Sequence, residues 1–262
     1  MSAPRARSRL ERGRFQGVHN IVRFNAPTYV AAAVVVVAGM VAATVGAVAG
    51  NGVILTVGVA AAVVAVVLSA GSLVGSYAAY DASDLYSYDG LADVIGDDVR
   101  VIAHVHTGLD ESTDALRARF VHAEVRVFDA SETSAQPEPS IARARRIVPL
   151  HADTVAVGLG PLPISDVQRM VLPMAAHEVR DNDARARWLR TLSRSLAQGG
   201  QMILIEHLRD LDNTLAFHVG VLHFLSRRTW LETFKSAGLA VVDEGRIAPL
   251  LHRFVLVRSS DG

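Results

Sequence analysis

The sequence predicts an α/β fold in which a mostly parallel sheet carries helices on both faces, preceded by a hairpin of two transmembrane helices. Two observations lead to this prediction. No charged residue occurs between Arg23 and Asp81, a stretch made mostly of Val, Ala, Gly and Leu. From about residue 99 onward, short apolar runs of strand character alternate with runs of helical periodicity. This alternation is typical of parallel strands joined by crossover helices.

The overall composition narrows the classes of partner and site. The 262-residue chain has 26 basic and 26 acidic side chains and no cysteine. Because there is no surplus of cations to neutralise phosphates, the composition gives no support for a nucleic-acid partner. Without cysteine, the chain forms neither a disulfide nor a thiolate metal site. The function therefore has to be read from the motifs.

The charge-free run is long enough for two membrane spans, since about 20 apolar residues cross a bilayer. The turn signal Gly50-Asn51-Gly52 divides it in two. We predict transmembrane helices over about Thr28–Ala49 and about Val53–Tyr80. A buried hairpin in a soluble core and a cleaved signal peptide are the alternatives, and the second full span argues against the signal peptide.

The flanks of the hairpin predict its orientation. Residues 1–27 form a basic segment with six arginines between Arg5 and Arg23 against the single Glu11, and arginine-rich ends stay in the cytoplasm. We therefore predict an integral protein of the cell inner membrane with both termini in the cytoplasm, a juxtamembrane linker over 81–98 and a cytoplasmic domain over 99–262. Gly71-x-x-x-Gly75 is expected to pack the two spans together, and self-association is its alternative use.

The elements of the domain follow one another in a regular order. Strands are predicted over VRVIAHV, AEVRVFDA, TVAVGL, VQRMVLPMA, QMILIEH, LAVVDEGRI and HRFVLVR. Helices are predicted over STDALRARF, PSIARARRIV, DNDARARWLRTLSRSLAQGG and SRRTWLETFKSAG. Asp181 or Asn182 is expected to cap the third helix, which should end at Gly199-Gly200. Ser226 should cap the fourth, which should stop at Gly238.

Two long segments carry a resemblance to a known family. WLRTLSRSLAQGGQMILIEH followed by TWLETFKSAGLAVVDEGRI has a helix, a Gly-Gly turn, a central strand, a helix ending in Ala-Gly and a terminal hairpin. This order, with the stretch Pro161–Leu172 before it, resembles class I S-adenosylmethionine-dependent methyltransferases. The resemblance covers about residues 99–258. It implies a doubly wound, mostly parallel, seven-stranded sheet, methyl transfer as activity and S-adenosylmethionine as cofactor.

The resemblance also implies a cofactor site at the ends of the first two strands. The family's first strand ends in an acid followed by three glycines at alternate positions, which fall here on His104, His106, Gly108 and Asp110. Only Gly108 matches. The glycines let the backbone approach the cofactor, so His106 would intrude, and a protonated ring would repel the sulfonium. Asp129 matches the family's second-strand acid, which accepts both ribose hydroxyls.

Ionisable residues follow the fourth and fifth predicted strands. His177 and Glu178 follow the fourth, and Glu206 and His207 follow the fifth. In the resembling topology these strands neighbour the first, so His106 and these four residues are expected within reach of one crevice. We predict that the four form the catalytic group, with His177 as the base, oriented by Glu178 or Glu206. Each residue alone also suits a hydrogen-bonded strand end.

Three functions stay open at this point. The first is a membrane-anchored methyltransferase, whose tether suggests a lipid, quinone or isoprenoid acceptor, that is, a small-molecule or lipid-like substrate. The second is a divergent binding protein at the membrane, because the family's adenine-contacting acid falls near Gly158 and its fourth-strand Asp on Arg169. The third is a metal-dependent enzyme with a ligand set drawn from His106, His177, Glu178, Glu206 and His207.

Overall fold

The structure is a computed structural model that describes residues 13–131 and 139–259, apart from the side chain of Val219. The first twelve residues of the predicted basic segment 1–27 lie outside this range. The described chain begins with a short helix, continues into a helical hairpin and ends in a domain with a single sheet.

The hairpin consists of two long apolar helices. Helix α1 (Gln16–Phe24) leads into α2 (Ala26–Val48), and α3 (Gly52–Ser76) continues into a π-helical turn, Tyr77–Asp81. Both long helices are long and apolar enough to cross a membrane, and only 11% and 6% of their most apolar stretches are buried. A core helix of a soluble protein is mostly buried, whereas these two helices are largely exposed.

Seven strands form one sheet in the order β3-β2-β1-β4-β5-β7-β6. The strands β1 to β5 are parallel, and β7 runs antiparallel to both β5 and β6. This arrangement confirms the predicted doubly wound, mostly parallel seven-stranded sheet and the adjacency of the first, fourth and fifth strands. The strands are β1 (Val101–His106), β2 (Glu124–Asp129), β3 (Val155–Ala156), β4 (Val167–Pro173), β5 (Leu196–Glu206), β6 (Leu239–Ala248) and β7 (Leu251–Arg258).

Helices connect the strands on both faces of the sheet. They are α4 (Ala92–Ile95), α5 (Thr113–Arg119), α6 (Pro139–Ile147), α7 (Asn182–Ser193), α8 (Leu211–Phe217) and α9 (Arg227–Ala237). Asp181 caps α7 and Ser226 caps α9, as predicted, by accepting hydrogen bonds from backbone amides. The predicted end of α7 at Gly199-Gly200 is wrong. The helix ends at Ser193 because Leu196 already pairs with Val167 of β4.

The core lies in two layers, one on each face of the sheet. Trp188 of α7 and Trp230 of α9 are buried in one layer. The other layer contains α5 and the segment between the hairpin and β1, from which five side chains are buried: Leu85, Tyr88, Leu91, Ile95 and Val99. Part of the segment 81–98 therefore packs into the core, which ties the hairpin to the domain.

Glycines set the close contacts of the hairpin. A Cβ atom on Gly39 of α2 would lie 2.6 Å from the carbonyl oxygen of Gly58 in α3, so the two helices touch through their backbones there. The prediction that Gly71 and Gly75 pack the two spans together is wrong. A Cβ atom on Gly75 would lie 2.7 Å from the Cβ of Ala216 in α8, because this end of α3 rests on the domain.

Candidate functional site

The ends of β4 and β5 bring His177 and Glu206 into contact. His177 lies in a single helical turn, Ala176–Glu178, directly after β4, and Glu206 is the last residue of β5. Oε2 of the buried Glu206 lies 2.6 Å from Nδ1 of His177. Its other oxygen accepts hydrogen bonds from the amides of Ala176 (2.9 Å) and His177 (3.3 Å). One carboxylate thus orients the imidazole ring and holds the turn that carries it.

The second ring nitrogen of His177 faces another carboxylate. Nε2 of His177 lies 3.1 Å from Oε1 of Glu178, and Nε2 of His223 lies 3.4 Å from the same oxygen. Arg180 donates to the carbonyl oxygen of His223 at 2.7 Å and also contacts its ring. His223 was not predicted as a site residue, because its apolar sequence surroundings indicate a partly buried histidine with a structural role.

The two carboxylates control the charge of His177. Burial disfavours the imidazolium, but Glu206 and Glu178 outweigh it and raise the pKa of His177 to about 10. Burial alone would raise the pKa of Glu178, yet its hydrogen bonds with His177 and His223 hold it well below its usual range. At neutral pH the resting site therefore holds an imidazolium between two carboxylates.

His207 connects the end of β5 to the hairpin. Its Nδ1 lies 2.9 Å from the carbonyl oxygen of Leu250, and its Nε2 lies 2.7 Å from the hydroxyl of Tyr80 in the π-helical turn. Because a carbonyl only accepts, Nδ1 carries the hydrogen and Nε2 accepts from Tyr80. Burial lowers the pKa of His207 to about 4. The ring is neutral; its Nε2 holds the hairpin on the domain through Tyr80, and its Nδ1 is anchored on the turn between β6 and β7.

A buried arginine supports the turn that carries His177 and Glu178. Arg185 of α7 donates to the carbonyl oxygen of Val179 at 2.7 Å and to Oγ1 of Thr233 at 3.2 Å, and it lies over the ring of Trp230. The sequence offered no signal for this role, since Arg185 is one of several arginines in α7 and the others stay in the solvent-facing pattern. Arg185 fixes the chain directly after the candidate catalytic turn.

The residues at the end of β1 are arranged differently. The ring of His104 is fully buried and contacts the hydroxyls of Thr113 (2.8 Å) and Ser112 (3.0 Å). Burial lowers its pKa to about 4. Asp110 accepts from the amides of Ser112 and Thr113 at the start of α5. Both residues therefore hold α5 against the end of β1.

His106 lies beside Asp129, where β1 and β2 end together. Nδ1 of His106 accepts from the amide of Gly108 at 3.1 Å and lies 3.7 Å from Oδ1 of Asp129. Burial lowers the pKa of His106. Among the described residues its Nε2 has no hydrogen-bond partner. The close contacts of this ring are with Gly108 and Asp129, and its combination with the group built around His177 stays a prediction.

The ends of β1 and β2 present polar groups that suit a nucleoside cofactor. The Asp129 carboxylate accepts from the amide (2.9 Å) and hydroxyl (2.7 Å) of Ser131, which leaves further lone pairs for a ribose diol. The chain turns at Gly108 with φ of 91°, and the guanidinium of Arg145 lies directly against it. The orphaned Nε2 of His106 adds a buried donor. The residues therefore fit a polar nucleoside ligand.

One cavity joins the hairpin to the ends of β4 and β5. Its volume is about 820 Å³, within the range of small-molecule sites. Side chains of α2 and α3, such as Ala32, Ala65 and Leu68, line the end toward the hairpin, and His177 and His223 line the other end. The cavity thus runs from apolar helices to the ionisable group.

The sequence matches no protein-family model and no curated protein. Among solved structures, the pyocyanin biosynthetic protein PhzM is similar with a TM-score of 0.50 and 17% identity, over 66% of this chain and 55% of that one. A SAM-dependent methyltransferase from Aquifex aeolicus has a TM-score of 0.49 and 14% identity, over 66% and 91%. The O-methyltransferase NcsB1 from neocarzinostatin biosynthesis, in complex with S-adenosyl-L-homocysteine and 1,4-dihydroxy-2-naphthoic acid, has a TM-score of 0.46 and 19% identity. The match covers 72% of this chain and 57% of that one.

These likenesses concern the fold. The chain spans about half the length of PhzM, the first of these structures. The strand order, the terminal antiparallel hairpin and the overlay agree with the class I S-adenosylmethionine-dependent methyltransferase fold that the sequence resemblance implies.

Proposed function

We propose that this chain, which has the class I methyltransferase fold, is a membrane-anchored S-adenosylmethionine-dependent methyltransferase. Its acceptor has a long apolar part, of the lipid, quinone or isoprenoid type. The observation that carries this proposal is the cavity of about 820 Å³, which is lined by apolar hairpin helices at one end and by His177 and Glu178 at the other. An acceptor with a reactive hydroxyl and an apolar tail matches both ends.

The exposed surface of the hairpin supports membrane anchoring. Helix α2 has 23 residues, which at 1.5 Å per residue extend over about 35 Å, enough for the hydrocarbon core. Large apolar side chains such as Val37, Met40 and Val66 are exposed along both helices, and so large an apolar surface is rare on soluble monomers. With the arginine-rich N-terminal segment, this favours an inner-membrane protein whose domain faces the cytoplasm.

The cofactor contacts belong to the ends of β1 and β2. Asp129 would accept from the ribose hydroxyls, and the loop at Gly108 would pass beneath the 5′ side of the nucleoside. When bound, S-adenosylmethionine supplies a methyl group on a sulfonium. The contribution of this chain is to hold the acceptor oxygen in line with that group, and positioning accounts for much of the rate in such reactions.

His177 is the proposed base. An acceptor hydroxyl that takes the place of Glu178 at Nε2 leaves Glu206 as the only carboxylate on the ring, which lowers the pKa of His177. With its pKa lowered, the imidazolium releases its Nε2 proton to solvent, while Nδ1 keeps its hydrogen and donates it to Glu206. Nε2 of the neutral ring is then the atom that takes the acceptor proton. Glu206 then acts as a positioning residue, and His207 supports the site by holding Tyr80.

Methyl transfer by the full chain in membranes tests this proposal. Membranes containing the protein are incubated with S-adenosylmethionine labelled in its methyl group, and label is counted in the chloroform-soluble fraction. We expect label in that fraction, a drop of about 10²–10⁴-fold in His177→Ala, the range for loss of a general base, and no change in His122→Ala, which alters an exposed histidine. Equal labelling by both variants would contradict the assigned base.

A second candidate is a metal-dependent enzyme. One ligand atom each from His177, Glu178 and His223 lies within 4.8 Å of the others, and Glu206 on Nδ1 of His177 is a typical outer partner of a metal-bound histidine. This trio differs from the predicted set, since His223 joins it. Calorimetry with Zn²⁺ and Mn²⁺ tests the candidate: binding that is lost in His223→Ala and kept in His122→Ala would support it.

A divergent binding protein is the remaining candidate. The observation in its favour is the guanidinium of Arg145 against Gly108, where the family's loop has open backbone. Calorimetry with S-adenosylmethionine and S-adenosylhomocysteine separates it from the methyltransferase. Failure of the wild-type chain to bind either compound would favour the binding protein.

A further inference from the structure

Arg145 and Gly108 are matched to each other. Nη2 of Arg145 donates to the carbonyl oxygen of Thr107 at 3.1 Å, and its Nε is a buried atom without a hydrogen-bond partner among the described residues. A Cβ atom on Gly108 would overlap the guanidinium. With φ of 91°, this position also favours glycine for its backbone. Gly108, which matches a glycine that the family places against its cofactor, here lies against the guanidinium of Arg145.

The path of the proposed cofactor passes this cation. Asp129 at the end of β2 pairs in register with His106 at the end of β1, and β4, which leads to His177, lies on the other side of β1. A nucleoside held by its ribose at Asp129 therefore has to cross the loop at Gly108 for its 5′ substituent to reach His177. In S-adenosylmethionine this substituent carries an α-carboxylate.

A guanidinium is suited to that carboxylate. Its planar array of donors binds a carboxylate through two parallel hydrogen bonds. One donor of Arg145 is engaged by Thr107, while Nε has no hydrogen-bond partner in the described part of the chain. We propose that Arg145 binds the α-carboxylate of the methionyl group of S-adenosylmethionine. This inference rests on the proposed function, and it assigns a binding role to a residue that the family motif does not include.

If Arg145 has the alternative role of obstructing the cleft, its removal should change the cofactor affinity in the opposite direction. If its guanidinium only obstructs the cleft, its removal tightens cofactor binding. If it binds the carboxylate, its removal weakens binding of ligands that carry the carboxylate and spares ligands that lack it. S-adenosylhomocysteine and 5′-methylthioadenosine form such a pair, since both have the nucleoside and a neutral thioether, and only the first has the amino-acid group.

The experiment is calorimetry of the detergent-solubilised full chain with both compounds. We expect Arg145→Gln to weaken S-adenosylhomocysteine binding about 10- to 100-fold, the range for hydrogen bonds to charged groups, and to change 5′-methylthioadenosine binding less than about twofold. Arg145→Lys should fall between wild type and Arg145→Gln, and it keeps the charge should the glutamine variant fold poorly. Arg146→Gln, at an exposed neighbour, is the control and should bind both compounds like wild type.

The outcomes separate this inference from the proposed function. Equal weakening of both ligands by Arg145→Gln, or tighter binding of S-adenosylhomocysteine, would overturn the carboxylate contact and leave the proposed function intact. Absence of binding of both ligands by the wild-type chain would overturn the proposed function and this inference with it.

Discussion

The carboxyl ends of the parallel strands hold two buried histidines in opposite protonation states. At the ends of β4 and β5, two carboxylates raise the pKa of His177 to about 10. At the end of β1, burial lowers the pKa of His104 to about 4. Both rings are almost fully buried. The difference shows that burial drives a histidine to its neutral form unless carboxylates contact the ring directly.

The contact distances explain the contrast. Oxygens of Glu206 and Glu178 lie 2.6 and 3.1 Å from the nitrogens of His177. The nearest carboxylate oxygen to His104 belongs to Asp110 at 4.0 Å and also accepts from backbone amides of α5. The first arrangement keeps a movable proton beside the cavity, whereas the second holds a helix in place. The β4–β5 end is therefore the better candidate for chemistry.

The largest effect is expected from Glu206→Gln, which should change the tautomer of His177 at the ends of β4 and β5. A glutamine that keeps its oxygen on the amides of Ala176 and His177 turns its NH₂ group toward Nδ1. Nδ1 would then have to accept, which leaves the hydrogen on Nε2, the atom proposed to take the acceptor proton.

We expect methyl transfer by Glu206→Gln to fall about 10²–10⁴-fold, as for loss of a general base. Single-turnover transfer measured beside S-adenosylhomocysteine affinity checks this, and the affinity should be unchanged. Transfer at the wild-type rate would mean that the tautomer of His177 does not matter.

Acid should reveal the neutral histidines as a loss of stability. The pKa values of His104 and His207 are about 4 in the folded chain against an ordinary value of 6.5. The unfolded chain therefore binds protons first, so the stability contribution is complete above pH 6.5 and is lost as the pH falls toward 4. Between pH 7 and pH 5 each ring should cost about 2 kcal/mol of stability.

Chemical unfolding of the detergent-solubilised chain at pH 7 and pH 5 measures this loss. His104→Asn removes one titrating ring and should reduce the difference between the two pH values, whereas His122→Asn, at an exposed ring, should leave it unchanged. An equal pH difference in all three proteins would contradict the neutral state of His104.

A smaller effect is expected from Glu178→Gln, which tests whether the second carboxylate raises the pKa of His177. Glu178 raises the pKa of His177, so its removal should lower that pKa. A base works in its neutral form, and the rate should therefore rise with pH through the pKa of His177. The rising limb of the kcat/KM profile should shift to lower pH by about one unit, roughly 1.4 kcal/mol. An unchanged profile would argue that Glu178 is not coupled to the reacting proton.

The sequence predicted the β4–β5 end better than its surroundings. His177 and Glu206 meet because β4 and β5 are adjacent, which follows from the topology that the resemblance implies. His223 and Tyr80 reach the site from a loop and from the hairpin. Local periodicity contains no information about such placements, so neither was predicted.

The β1–β2 end shows the converse limit of sequence reasoning. Alignment with the family motif assigned His104 and Asp110 to the cofactor, but their hydrogen bonds go to the start of α5. The contact between Arg145 and the loop at Gly108 joins residues 37 positions apart and has no motif. The helix end predicted at Gly199 failed for a local reason, since strand pairing begins before the glycines.

The proposed route takes an apolar acceptor to His177 through the cavity under the hairpin, and labelling by cavity variants is the most direct test of it. Ala65 is buried in α3 and lines the cavity, whereas Ala60 of the same helix is exposed. Ala65→Trp should obstruct the hairpin end of the cavity and abolish labelling of the chloroform-soluble fraction, with S-adenosylhomocysteine affinity unchanged. Ala60→Trp, the same substitution on the outer face, should label like wild type. Full labelling by Ala65→Trp would contradict the route of the acceptor through this cavity.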